Sequence, residues 1–225
     1  MNPASTIALL WAAFLGTHLV GSHPTVRARL VARLGQGPFT GLYSLVALAL
    51  FVPLVNVWWD HRHTGALLWW WRSPAMGHAV EALTLLGFFL TFGGLARPPP
   101  ASIAVQFVPR LASLQGMATI TRHPVFMGAS LWALAHILVN GWLSDVLFFG
   151  GFIVTTVAGA WHQDWRKARE DPRYADIMTK TGFFPFEGTL RGRGLPRLGA
   201  SAWIGGIVGL AAAVVLRIFH ARLFG

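Results

Sequence analysis

Apolar runs long enough to cross a bilayer recur six times along the chain, at residues 3–21, 40–59, 75–95, 125–140, 142–162 and 202–220. A spanning helix needs about 20 mainly apolar residues, so the pattern predicts an all-α polytopic membrane bundle of about six transmembrane helices. The run at 125–140 is the shortest. The first run is N-terminal and apolar like a signal peptide. No basic stretch precedes it, and an Arg cluster rather than a small-residue cleavage site follows Gly21, so a retained helix is expected.

The segments between the runs carry their own patterns. Between His23 and Gly37, apolar Val26, Leu30, Val31 and Leu34 fall at helical spacing beside Arg27, Arg29 and Arg33, which predicts a short amphipathic interfacial helix. Pro98, Pro99 and Pro100 cannot continue a helix, so the chain is expected to run extended before the stretch at 107–116. Residues 164–186 are charged and helix-compatible up to Lys180, with Gly182 placed to act as C-cap. Residues 188–199 read as a mobile basic loop. There is no internal repeat, and the expectation is one domain, 1–225, with a basic cytoplasmic segment at 163–200.

Composition strengthens the membrane reading. The chain is 54% hydrophobic and 12% charged, with a mean hydropathy of +0.54. Soluble domains carry about a quarter charged residues. There is no Cys, which excludes disulfides, thiolate metal sites and a Cys nucleophile. The net charge of +10 fits basic segments held against an anionic leaflet better than nucleic acid, for which no motif is present. Sorting the 18 Lys and Arg residues by intervening segment gives orientation. Fourteen fall after the first, third and fifth runs, from Arg27 to Arg197, and four (Arg62, Arg72, Arg217, Arg222) fall on the other side. Cytoplasmic segments carry the Lys/Arg excess, so both termini are expected to face outward, toward the periplasm of a bacterial inner membrane. Trp58, Trp59, Trp69, Trp70 and Trp71 bracket an outward loop as an aromatic belt.

Ionisable groups inside spans are costly and mark function by default. They are His18, His78, Glu81 and His136, with His123 and His162 at boundaries. His78 and Glu81 are spaced for a local pair, and His61 and His63 are too few for a metal site. His18 is flanked by Gly16 and Gly21, which admit a neighbouring helix or a flat ligand. His136 has Ala133 and Ala135 beside it and Trp132 one turn away. Each is either a neutral imidazole bonded to a neighbouring helix or one of two axial ligands to a haem iron. At 1.5 Å per residue, His18 lies about 10 Å and His136 about 18 Å into the membrane, and His123 offers a competing partner for His18. Arg122 and His123 precede Pro124, a residue that favours the first helical turn. They are expected to be exposed at a helix N-terminus, either as an anion or carboxylate site or as interfacial snorkelling.

These residues carry a family resemblance. The segment from Phe14 to His18 with its Arg cluster is similar to the NnrU family of bacterial membrane proteins. So are Gly41 to Val46 and the run from Ile120 through His136 to Gly141. The name of that family marks an association with nitrite and nitric oxide reduction, which implies a respiratory-chain protein as partner. The family in turn resembles the 15-cis-zeta-carotene isomerases of plants and cyanobacteria, membrane haem b enzymes. That resemblance implies haem b held by His18 and His136, with Phe14 and Trp132 lining the pocket and a hydrophobic polyene as substrate. Where the isomerases carry a further His pair, this chain has Thr155 and Thr156.

A second pattern, Arg122-His123-Pro124 with Phe126 and Gly128, is similar to isoprenylcysteine carboxyl methyltransferases. So are Tyr174 and the run Thr181 to Phe186. This implies S-adenosylmethionine at Arg122 and His123, although only Gln163 and Asp164 stand where an acidic pair belongs. Three readings therefore enter the structure: a haem-dependent membrane protein, a methyltransferase and a non-catalytic assembly factor.

Overall fold

A computed structural model describes residues 2–71, 73–100 and 114–224. Arg72, Arg110 and residues 107–113, which the sequence reading used, lie outside the described residues. The described chain is all-α, with α1 Pro3–Ser22, α2 Pro24–Leu34, α3 Gln36–Asp60, α4 Pro74–Ala96, α5 Pro124–Val139, α6 Leu143–Glu170, α7 Pro172–Lys180, α8 Glu187–Leu190 and α9 Ala200–Phe224. Among the described residues, α1, α3, α4, α6 and α9 are long and apolar enough to span a membrane, and α5 is a shorter apolar helix. Large apolar side chains such as Leu45, Val154, Ile204 and Ile207 are more than half exposed. A water-soluble fold rarely leaves so many large apolar side chains exposed. The chain is a multi-pass membrane protein.

The helix ends follow local chemistry. Pro occupies the first turn of α1, α2 and α4, where its missing N–H costs nothing. The Asn2 side chain caps α1 through Ala4 N, and Ser73 Oγ caps α4 through Met76 N. The amphipathic α2 ends at Gly35, which adopts φ +84°, a conformation that favours glycine.

Two expectations are corrected. The fifth spanning helix does not stop at residue 162 but continues to Glu170, because Gln163 to Glu170 contains no helix breaker and closes with Arg166–Glu170, an i,i+4 ion pair. The helix that follows ends at Lys180 with extended Thr181 as its cap, so Gly182 is not the C-cap. Gly182 is required for closeness instead. A Cβ there would lie 2.9 Å from both Glu187 Cβ and Gly188 N.

The described residues group into two compact units, each made of two stretches of chain. The first comprises Met1–Arg72 and His136–His162. Here α1 packs on α3, and Trp11, almost fully buried, donates its indole N–H to Phe148 O at 3.0 Å. Gly151 leaves room for that indole. Asp145, in the first turn of α6 and fully buried, accepts from Trp58 Nε1 at 2.9 Å and pairs with His63 Nδ1 at 2.7 Å. Leu68 N donates to Gly141 O and Trp69 Nε1 to Ile137 O, so the segment after α3 is pinned to the ends of α5 and α6. Trp70 and Trp71 remain more than half exposed.

The second unit comprises Ser73–Ala135 and Gln163–Gly225. Its core is α4 against α9, with close approach through small residues. A Cβ on Gly209 would sit 2.5 Å from Phe88 O, the small-residue contact that lets membrane helices pack on van der Waals terms. His78 and Glu81 on α4 form no ion pair with one another. Gly87 and Gly128 face each other between α4 and α5, and a Cβ on Gly128 would press on Gly87 O at 2.5 Å and collide with Thr91 Oγ1. Gly128→Val is therefore expected to lower the thermal unfolding midpoint in detergent by the equivalent of about 1–3 kcal/mol, the usual cost of overpacking. Gly150→Val, where a Cβ meets nothing within 4 Å, should leave it unmoved, and equal effects would remove this account of the glycines.

Candidate functional site

Each compact unit brings together part of the residue set that the sequence singled out. In the first unit, His18 lies on α1 one turn after Phe14. Its Nδ1 is 2.7 Å from Phe14 O. A carbonyl oxygen can only accept, so Nδ1–H is the donor and Nε2 is left out of this bond. The ring stacks on Phe14 at 4.0 Å and 28° and meets the edge of Tyr43 at 5.0 Å. Tyr43 also donates its hydroxyl to His18 O at 3.1 Å. The imidazole is therefore fixed in tautomer and in plane, and Gly21 has a use the sequence did not suggest. A Cβ there would lie 2.9 Å from Tyr43 Cε2, so Gly21 makes room for the tyrosine that holds His18.

His136 stacks on Phe149 at 4.6 Å and 25°. The two imidazoles are connected through rings. Phe14 meets Trp11 at 5.6 Å, Trp11 meets Phe148 at 6.4 Å, and Phe148 meets Phe149 at 5.2 Å. Phe14 thus contacts His18. Trp132 belongs to the second unit, and its backbone N is close to Gly87. Thr156 turns its hydroxyl into its own helix, donating to Phe152 O at 2.7 Å.

In the second unit, Arg122 and His123 are not exposed, as the helix-terminus argument suggested, but 8% and 3% accessible. The segment after α7 folds over them. Arg122 N donates to Gly182 O and Phe186 N to Ile120 O, both at 2.9 Å, and the Thr121 hydroxyl donates to Phe183 O. Beneath this cover Asp164 accepts three hydrogen bonds, from Arg122 Nε at 2.7 Å, His123 Nε2 at 2.8 Å and the Tyr174 hydroxyl at 2.7 Å. Arg122 also donates to Thr181 O at 3.1 Å and lies over the Phe183 ring.

Burial sets the electrostatics of this cluster. Desolvation pulls the His123 pKa below its ordinary 6.5, against the pull of the hydrogen bond and charge of Asp164. Arg122 already balances that carboxylate, so a protonated His123 would leave a net buried positive charge. Burial, with the Asp164 charge beside it, pushes the Tyr174 hydroxyl far above its ordinary range. The cluster therefore holds a neutral imidazole and a neutral phenol around one carboxylate, with its polar atoms directed at each other.

Asp164 as the hub was missed by sequence reasoning, which weighed it only as half of an acidic pair. Its signal was scarcity. The chain has eight carboxylate side chains and two tyrosines, and one of each meets at this point.

Two curated relatives share part of the chain. It is 26% identical over 166 residues to the chloroplastic 15-cis-zeta-carotene isomerase of Arabidopsis thaliana and 28% identical over 163 residues to that of Zea mays. Each alignment covers 71% of this chain and 44% of the relative, so the chain spans less than half the length of the curated relatives it matches. No solved structure matches the chain. A family model described as NnrU protein matches residues 6–225, and the chain therefore belongs to the NnrU family.

Proposed function

We propose that this NnrU chain is a haem b-binding membrane protein with an isomerase-like activity on a hydrophobic polyene. The observation that carries the reading is His18, whose Nδ1–H is committed to Phe14 O at 2.7 Å. A histidine that ligates iron donates its other ring N–H to a carbonyl or carboxylate, which fixes the ring and raises the basicity of the ligating nitrogen. His18 has that arrangement inside a spanning helix. His136, in the same compact unit, supplies a second imidazole. On this reading His18 and His136 would be the imidazole donors to haem b, with Phe14 against the ring of the first.

Bound haem would supply a redox-active iron in an apolar setting. The protein's part is to orient His18 through Phe14 and Tyr43, and to keep water out with the Trp11, Phe148 and Phe152 cluster. The polyene rests on the activity for which the two relatives are named and on the exposed apolar side chains. We place the protein in a bacterial inner membrane with both termini periplasmic, from the Lys/Arg distribution, and link it to nitrite or nitric oxide reduction through the family. Methyl transfer draws no support from the geometry, since Arg122 and His123 direct their polar atoms at Asp164 and Thr181.

The test is the visible spectrum of detergent-purified protein expressed with haem supplied, followed by incubation of the reduced protein with 15-cis-zeta-carotene and chromatographic separation of isomers. A Soret band and a shifted isomer ratio are expected. A colourless protein would end the haem reading, and a coloured one that leaves the isomers unchanged would end the polyene reading while keeping the haem.

A further inference from the structure

The segment between α7 and α9, which the sequence marks only as basic, closes a cavity of about 320 Å³. That volume lies at the small end of ligand sites, about 300–1,000 Å³. Lys180, Arg193 and Arg197 line it with Thr119, and among the described residues no carboxylate does. Each cation is placed differently. Lys180 shares its charge with exposed Asp176 at 2.6 Å. Arg193 donates one guanidinium nitrogen, Nη1, to Thr181 O at 2.8 Å, which holds the side chain while leaving its other donors. Arg197 is anchored by its backbone, with N donating to Thr119 Oγ1 and O accepting from Gly116 N, both at 3.0 Å. Its guanidinium makes no hydrogen bond or ion pair with the described residues. Glu187, which precedes the lining residue Gly188, is occupied by Arg191 and by the N–H groups of Phe183 and Phe184. Gly194, at φ +90°, brings backbone to the wall without a side chain.

The cavity therefore holds an excess of fixed positive charge with planar donor forks, the chemistry that suits a phosphate group. Its surroundings are apolar. Leu195, in the wall, is 80% exposed and Leu190, on α8, is 85% exposed. The spanning helix α9 begins at Ala200, no more than about 17 Å from Leu195 even along extended chain. Exposed leucines beside a basic cavity at the foot of a spanning helix match a ligand with an anionic head and an apolar tail. We infer that this cavity is a binding site for the phosphate-bearing headgroup of an anionic phospholipid, with Arg193 and Arg197 on the phosphate and Leu195 against the start of the acyl region. The site is built from residues of the second unit alone and does not depend on haem.

Short-chain phosphatidylglycerol, short-chain phosphatidylcholine and inorganic phosphate, each titrated into the detergent-purified full chain, separate the sources. Phosphatidylglycerol should bind tightest, and Arg193→Gln with Arg197→Gln should weaken it about tenfold, as expected from losing two cations on one phosphate. Arg197→Gln alone removes no side-chain hydrogen bond to the described residues and should weaken binding severalfold with the fold intact. Arg217→Gln with Arg222→Gln, at the far end of α9, should leave it unchanged. Equal affinity for phosphatidylcholine would overturn an anionic lipid as the ligand, and equal affinity for inorganic phosphate would overturn a lipid as the ligand. Unaltered phosphatidylglycerol binding by the Arg193/Arg197 variant would overturn the site.

Discussion

Replacing His18 by Ala is expected to remove bound haem from the purified protein almost completely, read as loss of the Soret band per mole of protein. Changing only the partners of a metal-ligating His commonly costs about 10–100-fold in metal affinity, so deleting the ligand should cost at least that. His136→Ala should lose haem in the same way if both imidazoles hold iron. The surrounding structure gives graded controls. Thr17 bonds only to the Ala13 and Phe14 carbonyls of its own helix, and Thr17→Ala should leave the spectrum unchanged. Phe14→Leu keeps the carbonyl that accepts from Nδ1 but deletes the ring stacked at 4.0 Å. It should shift the band and lower occupancy without abolishing it. Tyr43→Phe removes the hydroxyl bonded to His18 O and keeps the ring edge, so it should be close to wild type. A His18→Ala protein that retains full absorbance would place the ligand elsewhere and end the assignment.

The parts of this architecture that were legible in the sequence are those imposed by the solvent. A bilayer requires each span to satisfy its own backbone hydrogen bonds, so spans announce themselves as uninterrupted apolar runs, and α1, α3, α4 and α9 begin and end within a few residues of expectation. The same one-dimensional logic failed where polar chain folds back on polar chain. Arg122 and His123 look exposed because a Pro at the first turn marks a helix start, and helix starts at an interface usually meet water. They are buried because residues 182–186, some sixty positions later, pair with 120–122. No periodicity reports such a contact. Asp164 was undervalued for a related reason. Its three partners come from just before α5 and from α7, and only the fold makes them neighbours. The run of Thr181 to Phe186 is conspicuous in sequence as a motif, and its physical role is to seal this cluster.

That seal makes Asp164 the position where a single change should most damage the protein outside the histidines. Asp164→Ala leaves the Arg122 guanidinium, which is mostly out of solvent, facing an empty space together with the Tyr174 hydroxyl and His123 Nε2. Removing one partner of a buried charge pair costs about 3–5 kcal/mol. For a chain of this size that corresponds to a fall of about 10 °C in the thermal unfolding midpoint. Asp164→Asn keeps the shape and one acceptor, and should fall between Ala and wild type. Tyr174→Phe removes one donor from a carboxylate that retains two, and should cost about 1 kcal/mol. The pH dependence has a definite sign. Burial holds the His123 pKa below its unfolded value of 6.5, so the unfolded state takes up a proton that the folded state refuses. Stability from this group is fully present above about pH 6.5 and is lost as pH falls below it, toward the lowered folded value. His123→Gln can still donate toward Asp164 but does not titrate, so the difference in unfolding midpoint between wild type and this variant should change between pH 7.5 and 5.5. The wild type should lose more over that interval. Parallel pH profiles for the two proteins would show that His123 is not the neutral, desolvated group that its burial beside Arg122 and Asp164 requires.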